Sequence, residues 1–259
     1  MKKLTCFFCA ILLSYCIFKA YTFFSFLYEV KQILAANKVA QLHIDSKNGT
    51  IEKVKLDVEA GISIECTDIT GATPLHYAVL NEKNAIEICT YLIKCGGDIN
   101  RLDKAGVSPL QSLVRNSCPD KINNTKLHDL IRVLLDLGAN INVQDLNGES
   151  IVHDLVRYKC LSILKLVKGS KINFNLKTVD GITPLHLAVL LEDEESINFI
   201  LEKKSKVNVL DSENKTPLDI AIEKGNSELI KILERHGAKK ACELEKGSID
   251  GTTVEKSNI

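Results

Sequence analysis

The sequence contains no tryptophan, and aromatic residues make up only 5% of its 259 residues. An aromatic platform that stacks on bases or sugars is therefore not expected. Neither sign of charge is in excess, because 33 basic residues balance 33 acidic ones. That balance argues against a basic nucleic-acid binder, so no nucleic-acid partner is predicted. With five prolines and 14 glycines, the chain resembles neither collagen nor a proline-rich disordered segment.

Motifs of the common enzyme classes are also missing. The sequence has no HExxH, GxSxG, GxxxxGKS/T or GxGxxG, which would indicate zinc, serine, phosphate or dinucleotide chemistry. The acidic run at residues 192–195 lacks the glycine and the alternating spacing of a calcium-binding loop. We therefore predict that the protein is not an enzyme and uses no cofactor, no metal and no small-molecule substrate.

The N-terminus carries the one long apolar stretch of the chain. Lys2 and Lys3 precede an uncharged, mostly apolar run over residues 4–18, which continues after Lys19. Residues 1–28 fit either a cleaved signal peptide or a retained transmembrane anchor. The protein is accordingly expected to be membrane-anchored by this segment, or secreted or extracytoplasmic if the segment is removed. Residues 29–38 are predicted to form a linker or a helical lead-in.

Nine cysteines are present, three of them in the apolar leader. The other six show no CxxC pairing, and a chain of this length does not need disulfides to stabilise its core. We expect most of these six thiols to be reduced and buried.

A turn followed by a helix start recurs along the chain. The fourth residues of the turns, which are Gly71, Gly106, Gly148, Gly181 and Asn214, are separated by 35, 42, 33 and 33 residues. Just after each turn comes a Thr or Ser that is suited to cap a helix, usually followed by Pro, Leu and His. A second apolar helix then ends at a glycine in most units. The period near 33 predicts a repeat architecture.

This pattern resembles the ankyrin repeat family, and the chain is similar to ankyrin repeat proteins of intracellular bacteria. The T-P-L-H-x-A block is intact twice, in the structural motif residues Thr73, Pro74, Leu75, His76 and Ala78 and again in Thr183, Pro184, Leu185, His186 and Ala188. The resemblance implies an all-α solenoid of about six units, each with two antiparallel helices and a β-hairpin, preceded by an apolar N-terminal helix. It also implies that the motif histidines join adjacent units.

The predicted repeat domain covers residues 39–240. Its units one to six are 39–67, 68–102, 103–144, 145–177, 178–210 and 211–240, and the first and last serve as caps. Unit three is nine residues longer than the period, and unit four lacks the proline, so both are expected to be the least regular. Residues 241–259 are polar and are predicted to be a disordered tail.

The resemblance implies that a protein partner binds the concave face, which hairpin tips and first helices form. Arginine and tyrosine are common interface anchors, and aliphatic residues in their vicinity would make an apolar patch. The predicted partner-binding residues are Arg115, Arg157, Tyr158, Val179, Ile182, Leu190 and Leu191. We thus predict a protein–protein interaction scaffold, tethered or exported, with an effector-like role. The alternative is a membrane structural or regulatory subunit whose N-terminal helix packs with other membrane proteins.

Overall fold

The computed structural model describes residue 28 and residues 37–117, 125–166 and 172–244. Helix α1 covers residues 37–48. The helices that follow are α2 (Ile51–Glu59), α3 (Pro74–Ala78), α4 (Ala85–Lys94), α5 (Pro109–Ser117), α6 (Thr125–Asp136), α7 (Ile151–Arg157), α8 (Leu161–Leu166), α9 (Pro184–Leu190), α10 (Glu194–Glu202), α11 (Pro217–Glu223) and α12 (Ser227–Arg235).

The helices form pairs, one pair in each predicted unit. Within a pair the two helices are in contact, as α9 and α10 are, and the first helices α3, α5, α7, α9 and α11 pack side by side in chain order. The second helices α2, α4 and α6 also contact their neighbours. The result is the predicted all-helical solenoid.

Local chemistry explains where the first helices begin. In α9 the backbone N–H of Thr183 donates to Nδ1 of His186 (3.2 Å), and the N–H of His186 donates to the Thr183 hydroxyl (3.4 Å). Ser150 and His153 form the same capping box in α7, although no proline follows the serine. The first helix of unit four is therefore as long as that of unit five, seven residues each, and the expected irregularity is not seen there.

The core lies between the stacked helix pairs. The leucine of the motif is buried in α3, α5, α9 and α11, and Val152 takes its place in α7. The alanines Ala78, Ala188 and Ala221 are completely buried, which lets neighbouring helices approach closely. Each unit thus buries its apolar side chains against the next unit, as expected of a solenoid.

The predicted β-hairpins are extended arms with tight turns instead of strand pairs. Within the described ranges there is no regular strand, and one isolated bridge joins Gln144 and Ser150. The reason is that a side chain takes the hydrogen bonds: Oδ1 of Asp145 accepts from the N–H groups of Asn147 (2.8 Å) and Glu149 (2.9 Å). Asp68, Asp103 and Asp211 do the same in their own turns.

The hairpin tips form one continuous row along the stack. The N–H of Val179 donates to the carbonyl of Asn147, and that of Ser212 donates to the carbonyl of Asp180, both at 2.9 Å. This close approach requires glycine at the fourth turn position. Gly181 has φ +72°, and a Cβ there would lie 2.9 Å from the Cα of Asp211. An L-residue would therefore suffer both an unfavourable backbone and a clash.

The two ends of the chain are only partly described. Residues 1–27 and 29–36, which hold the predicted leader and most of the lead-in, lie outside the described residues, as do residues 245–259. Residues 241–244, assigned above to the disordered tail, are helical. No helix in the described part is long and apolar enough to cross a membrane.

The thiols follow the prediction in part. Cys89 and Cys160 are buried and Cys66 is half-buried, but Cys95 and Cys242 are exposed, and none of these five described cysteines forms a disulfide. Burial raises the pKa of the Cys89 thiol to about 12, so that thiol is protonated and unreactive at neutral pH.

Candidate functional site

The motif histidines connect each unit to the next. Nε2 of the histidine faces the carbonyl of the residue that precedes the cap of the following unit. These interunit rungs are His43 to Ala72 (3.0 Å), His76 to Val107 (3.1 Å), His153 to Ile182 (3.1 Å) and His186 to Lys215 (3.3 Å). In unit three Gln111 takes the histidine position, and its Nε2 donates to the carbonyl of Glu149 (3.0 Å). The histidines thus have the joining role that the resemblance implied.

The hydrogen bonds fix the proton on three of these imidazoles. In His76, His153 and His186, Nδ1 accepts a backbone N–H, so Nε2 carries the proton and donates it to the carbonyl. Burial lowers the pKa of all three histidines. They are therefore neutral structural groups at physiological pH.

In unit six a hydrogen-bond acceptor stands at the position from which the other units donate a hydrogen bond to the next unit. Asp219 stands at the histidine position, and its Oδ2 accepts from the N–H groups of Thr216 and Ala241, both at 3.0 Å. Burial alone would raise the pKa of the Asp219 carboxyl, but these hydrogen bonds outweigh it and the pKa is lowered.

Arg115 is held by carboxylates within the protein. Its Nε donates to Asp154 (3.0 Å) and its Nη2 to Asp145 (2.8 Å), and both carboxylate side chains are only 2% exposed. Gln111 also donates to Asp154 (2.9 Å). Burial raises the pKa of the Asp154 carboxyl against the opposing effect of Gln111 and Arg115. Arg115 therefore ties unit three to unit four.

Arg157 lies at the edge of the same group. It pairs with Glu149, which also accepts from Nη2 of Arg115 (3.4 Å). The Arg157 side chain is 42% exposed, whereas that of Arg115 is 25% exposed. We call Arg115, Asp145, Glu149, Asp154 and Arg157 the Arg115 cluster.

A cavity of about 440 Å³ opens between units four and five on the face that carries the tips and the first helices, here called the tip face. Its apolar lining comes from unit five. The lining consists of Val179, Ile182, Leu187 and Leu190 together with Asn147, Glu149, His153, Arg157, Thr178 and Asp180. We call it the unit-five pocket.

The structure brings together four of the predicted partner-binding residues in this pocket: Arg157, Val179, Ile182 and Leu190. Tyr158 and Leu191 are half-buried against the core instead, because each follows a pocket residue by one position and so points about 100° away around the helix. Leu187 is not among the predicted residues. The motif could have indicated Leu187, because it is the variable position of T-P-L-H-x-A and lies on the same helix face as Leu190.

A second cavity, of about 750 Å³, lies at the turns between first and second helices of units two and three. Three lysines and three acidic residues line it: Lys47, Lys83, Lys126, Glu82, Glu87 and Asp129. These charges sum to zero. Within the described residues, no group of three or more metal-ligating side chains is arranged to hold an ion.

Comparison with known sequences identifies the repeats. A family model described as ankyrin repeats (3 copies) matches residues 42–145, 121–209 and 152–243. A putative ankyrin repeat protein of fowlpox virus, FPV031, is 31% identical over 166 residues, which cover 61% of this chain and 46% of that protein. The mouse B-cell lymphoma 3 protein homolog is 26% identical over 188 residues, covering 70% of this chain and 40% of its own length. The chain thus spans less than half of these two relatives.

A shorter relative matches along nearly all of its length. The putative ankyrin repeat protein YahD of Escherichia coli is 29% identical over 209 residues, which cover 78% of this chain and 98% of that protein.

Solved structures share the fold at low sequence identity. The ankyrin repeat domain of Bcl-3 has a TM-score of 0.65 at 22% identity, covering 77% of this chain and 86% of that one. A chain in the complex of the predatory endopeptidase Bd0816 from Bdellovibrio bacteriovorus with the immunity protein Bd3460 has a TM-score of 0.60, also at 22% identity. That match covers 75% of this chain and 97% of the other.

Proposed function

Because the chain belongs to the ankyrin repeat family, we propose that it is a non-enzymatic scaffold that binds a protein partner on its tip face. The ankyrin repeat is a general protein–protein interaction fold. The observation that carries the proposal is the unit-five pocket, an open cavity of about 440 Å³ that combines four aliphatic side chains of unit five with a polar rim. Apolar sites with a polar rim are typical of binding hot spots.

The frame beneath the pocket supports this role. Interunit rungs and tip-to-tip hydrogen bonds hold units four and five in one arrangement. A surface that is already ordered loses little conformational entropy when a partner binds. The pocket is therefore suited to bind without rearrangement of the helices.

The proposed binding residues are those that line the pocket, namely Arg157, Val179, Ile182 and Leu190, with Leu187 added. Arg115 contributes indirectly, because it holds Glu149, which in turn holds Arg157. Tyr158 and Leu191 support the helix from the core side.

The test uses the full chain with the tip row made charged. We expect Ile69→Asp, Leu146→Asp and Val179→Asp, combined in one variant, to abolish co-purification of the protein that the natural chain retains in its own cells. These side chains are 91%, 72% and 70% exposed, so the variant should fold. A matched control with three charge changes on second helices, at Glu87, Lys231 and Glu234, should retain the protein. Loss of the protein only in the control would place binding on the opposite face and overturn the proposal.

We propose further that the apolar segment within residues 1–28 tethers or exports the domain, in keeping with an effector-like role toward a protein outside the producing cell. The supporting observation is the pair Lys2 and Lys3 followed by the apolar run. Mass spectrometry of the natural chain from membrane and soluble fractions tests this. An intact N-terminus in the membrane fraction means a tether, and a shortened soluble chain means export. An intact chain found only in the soluble fraction contradicts both.

The alternative is a membrane structural or regulatory subunit whose N-terminal segment packs with other membrane proteins. It is favoured by the length of the apolar stretch, which suffices for a membrane span. Oligomers in detergent that disappear when residues 1–28 are removed would support this alternative over a free-standing scaffold.

A further inference from the structure

The tip face is mostly charged in unit four and apolar in unit five. The four tip-face positions that are Glu149, Asp154, Arg157 and Leu146 in unit four become Ile182, Leu187, Leu190 and Val179 in unit five. In unit six two of the four matching positions carry charge, Lys215 and Glu223, and Lys215 pairs with Glu213 (3.0 Å) and Glu223 (2.9 Å). One apolar unit is thus flanked on both sides by charged ones.

The charges around this apolar unit do not cancel. The charged side chains that line the pocket are one basic, Arg157, and two acidic, Glu149 and Asp180, which leaves a formal charge of −1. The whole chain has a net charge of zero. The pocket lining therefore has one carboxylate in excess.

Among the described residues, the basic side chains near the pocket form ion pairs, whereas one carboxylate of the pocket lining does not. Arg115, Arg157 and Lys215 each contact at least one carboxylate. Asp180 lines the pocket at the tip of unit five, and no side-chain partner holds it within the described part of the chain. An incoming group can therefore pair with Asp180 without breaking an existing contact.

We infer that the partner inserts one bulky apolar side chain into the unit-five pocket and places a lysine or arginine next to it, against Asp180. This inference rests on the proposed function and specifies the partner. The cavity of about 440 Å³ is within the range of about 300–1,000 Å³ in which proteins hold ligand groups. An acidic partner segment would instead meet the excess of carboxylates, and like charges at an interface disfavour binding.

The inference is tested with a phage library of random twelve-residue peptides selected on the full chain. The selected peptides should combine a large aliphatic or aromatic residue with a neighbouring lysine or arginine. Their synthetic forms should bind the Leu190→Asp variant about tenfold more weakly or worse, which corresponds to about 1.4 kcal/mol. Asp180→Asn should weaken binding about threefold, and this loss should shrink when the basic residue of the peptide is replaced by alanine.

A matched variant at the same tip position is the control. Ile69→Asp places the same charge on the tip of unit two, at a side chain that is 91% exposed, and should leave peptide binding unchanged. Val179→Asp provides a second pocket variant whose substituted side chain is 70% exposed, so it tests the pocket even if Leu190→Asp fails to fold.

Three results would overturn the inference. They are acidic selected peptides, peptides that bind the Leu190, Val179 and Ile69 variants equally, and a selection that enriches no peptide. None of them contradicts the proposed scaffold role, which depends on the separate co-purification experiment with the triple tip variant.

Discussion

Units four and five share their frame, meaning the helix caps and the hydrogen bonds between units. Their tip faces differ, because that of unit four is mostly charged and that of unit five is apolar. Both have a first helix of seven residues, a capping box, a histidine rung to the next unit and a tip-to-tip hydrogen bond. On the side of the first helix that faces the pocket, Asp154 and Arg157 in unit four correspond to Leu187 and Leu190 in unit five. The capping box and the histidine are therefore kept while side chains of the tip face change.

The largest effect should come from breaking the polar network of unit four. Arg115→Ala leaves the carboxylates of Asp145 and Asp154 buried without their cation, and we expect it to lower the free energy of unfolding by about 3–5 kcal/mol. Arg157→Ala, at the exposed edge of the cluster, should cost only about 0–1 kcal/mol. Urea denaturation at pH 7 measures both, and equal losses would contradict the distinction between the two arginines.

A comparable loss is expected from the core of unit five. Leu185 is 1% exposed, and Leu185→Ala should cost about 2–5 kcal/mol because it leaves a cavity. Val152→Ala at the matching position of unit four should cost less, since it removes fewer carbon atoms at about 0.8 kcal/mol each. The same denaturation experiment applies. A larger loss at Val152 would mean that the two cores are not equivalent.

A smaller effect, shared by the two units, should appear as a pH dependence. Burial holds the pKa of His153 and His186 below the reference value of 6.5, so the unfolded chain binds protons first as the pH falls. The free energy of unfolding should therefore decrease as the pH drops below about 6.5. His153→Gln and His186→Gln keep a donor, as Gln111 does, and each should reduce this slope between pH 7 and pH 5. An unchanged slope in both variants would contradict the assignment.

The smallest effect is expected at the tip of unit five. Val179→Ser alters a side chain that is 70% exposed and should change the free energy of unfolding by no more than about 0.5 kcal/mol. Gly181→Ala in the same tip should cost at least about 1–2 kcal/mol, because φ is +72° there and the added Cβ would also clash with Asp211. Thermal unfolding measures both changes. A Val179 effect as large as that of Gly181 would show that the tip surface is part of the frame.

The sequence predicted the frame well because its determinants are local. A capping Thr or Ser and a histidine three residues later act within one turn, so the first helices could be placed without knowledge of their neighbours. The hairpins were harder. A turn pattern does not show that the carboxylate of Asp145 takes the N–H groups that would otherwise join strands.

The candidate site was predictable where residues share one face of the stack. Val179, Ile182 and Leu190 lie together because they repeat on the tip face of a single unit. Arg115 was placed among the exposed anchors, but its partners Asp145 and Asp154 come from the next unit. These partners are 30 and 39 residues away along the chain, so no local pattern indicates the pairing.

Asp219 gives the stack a direction. Every rung starts at a donor in one unit and ends at a carbonyl of the next, but Asp219 in unit six accepts hydrogen bonds where the other units donate. The units are therefore not interchangeable blocks. Moving unit five to the last position would leave the Nε2 proton of His186 without a carbonyl, and continuing the series beyond unit six would need a donor in place of Asp219. The side chain at the histidine position therefore determines where in the order of units a given unit can stand.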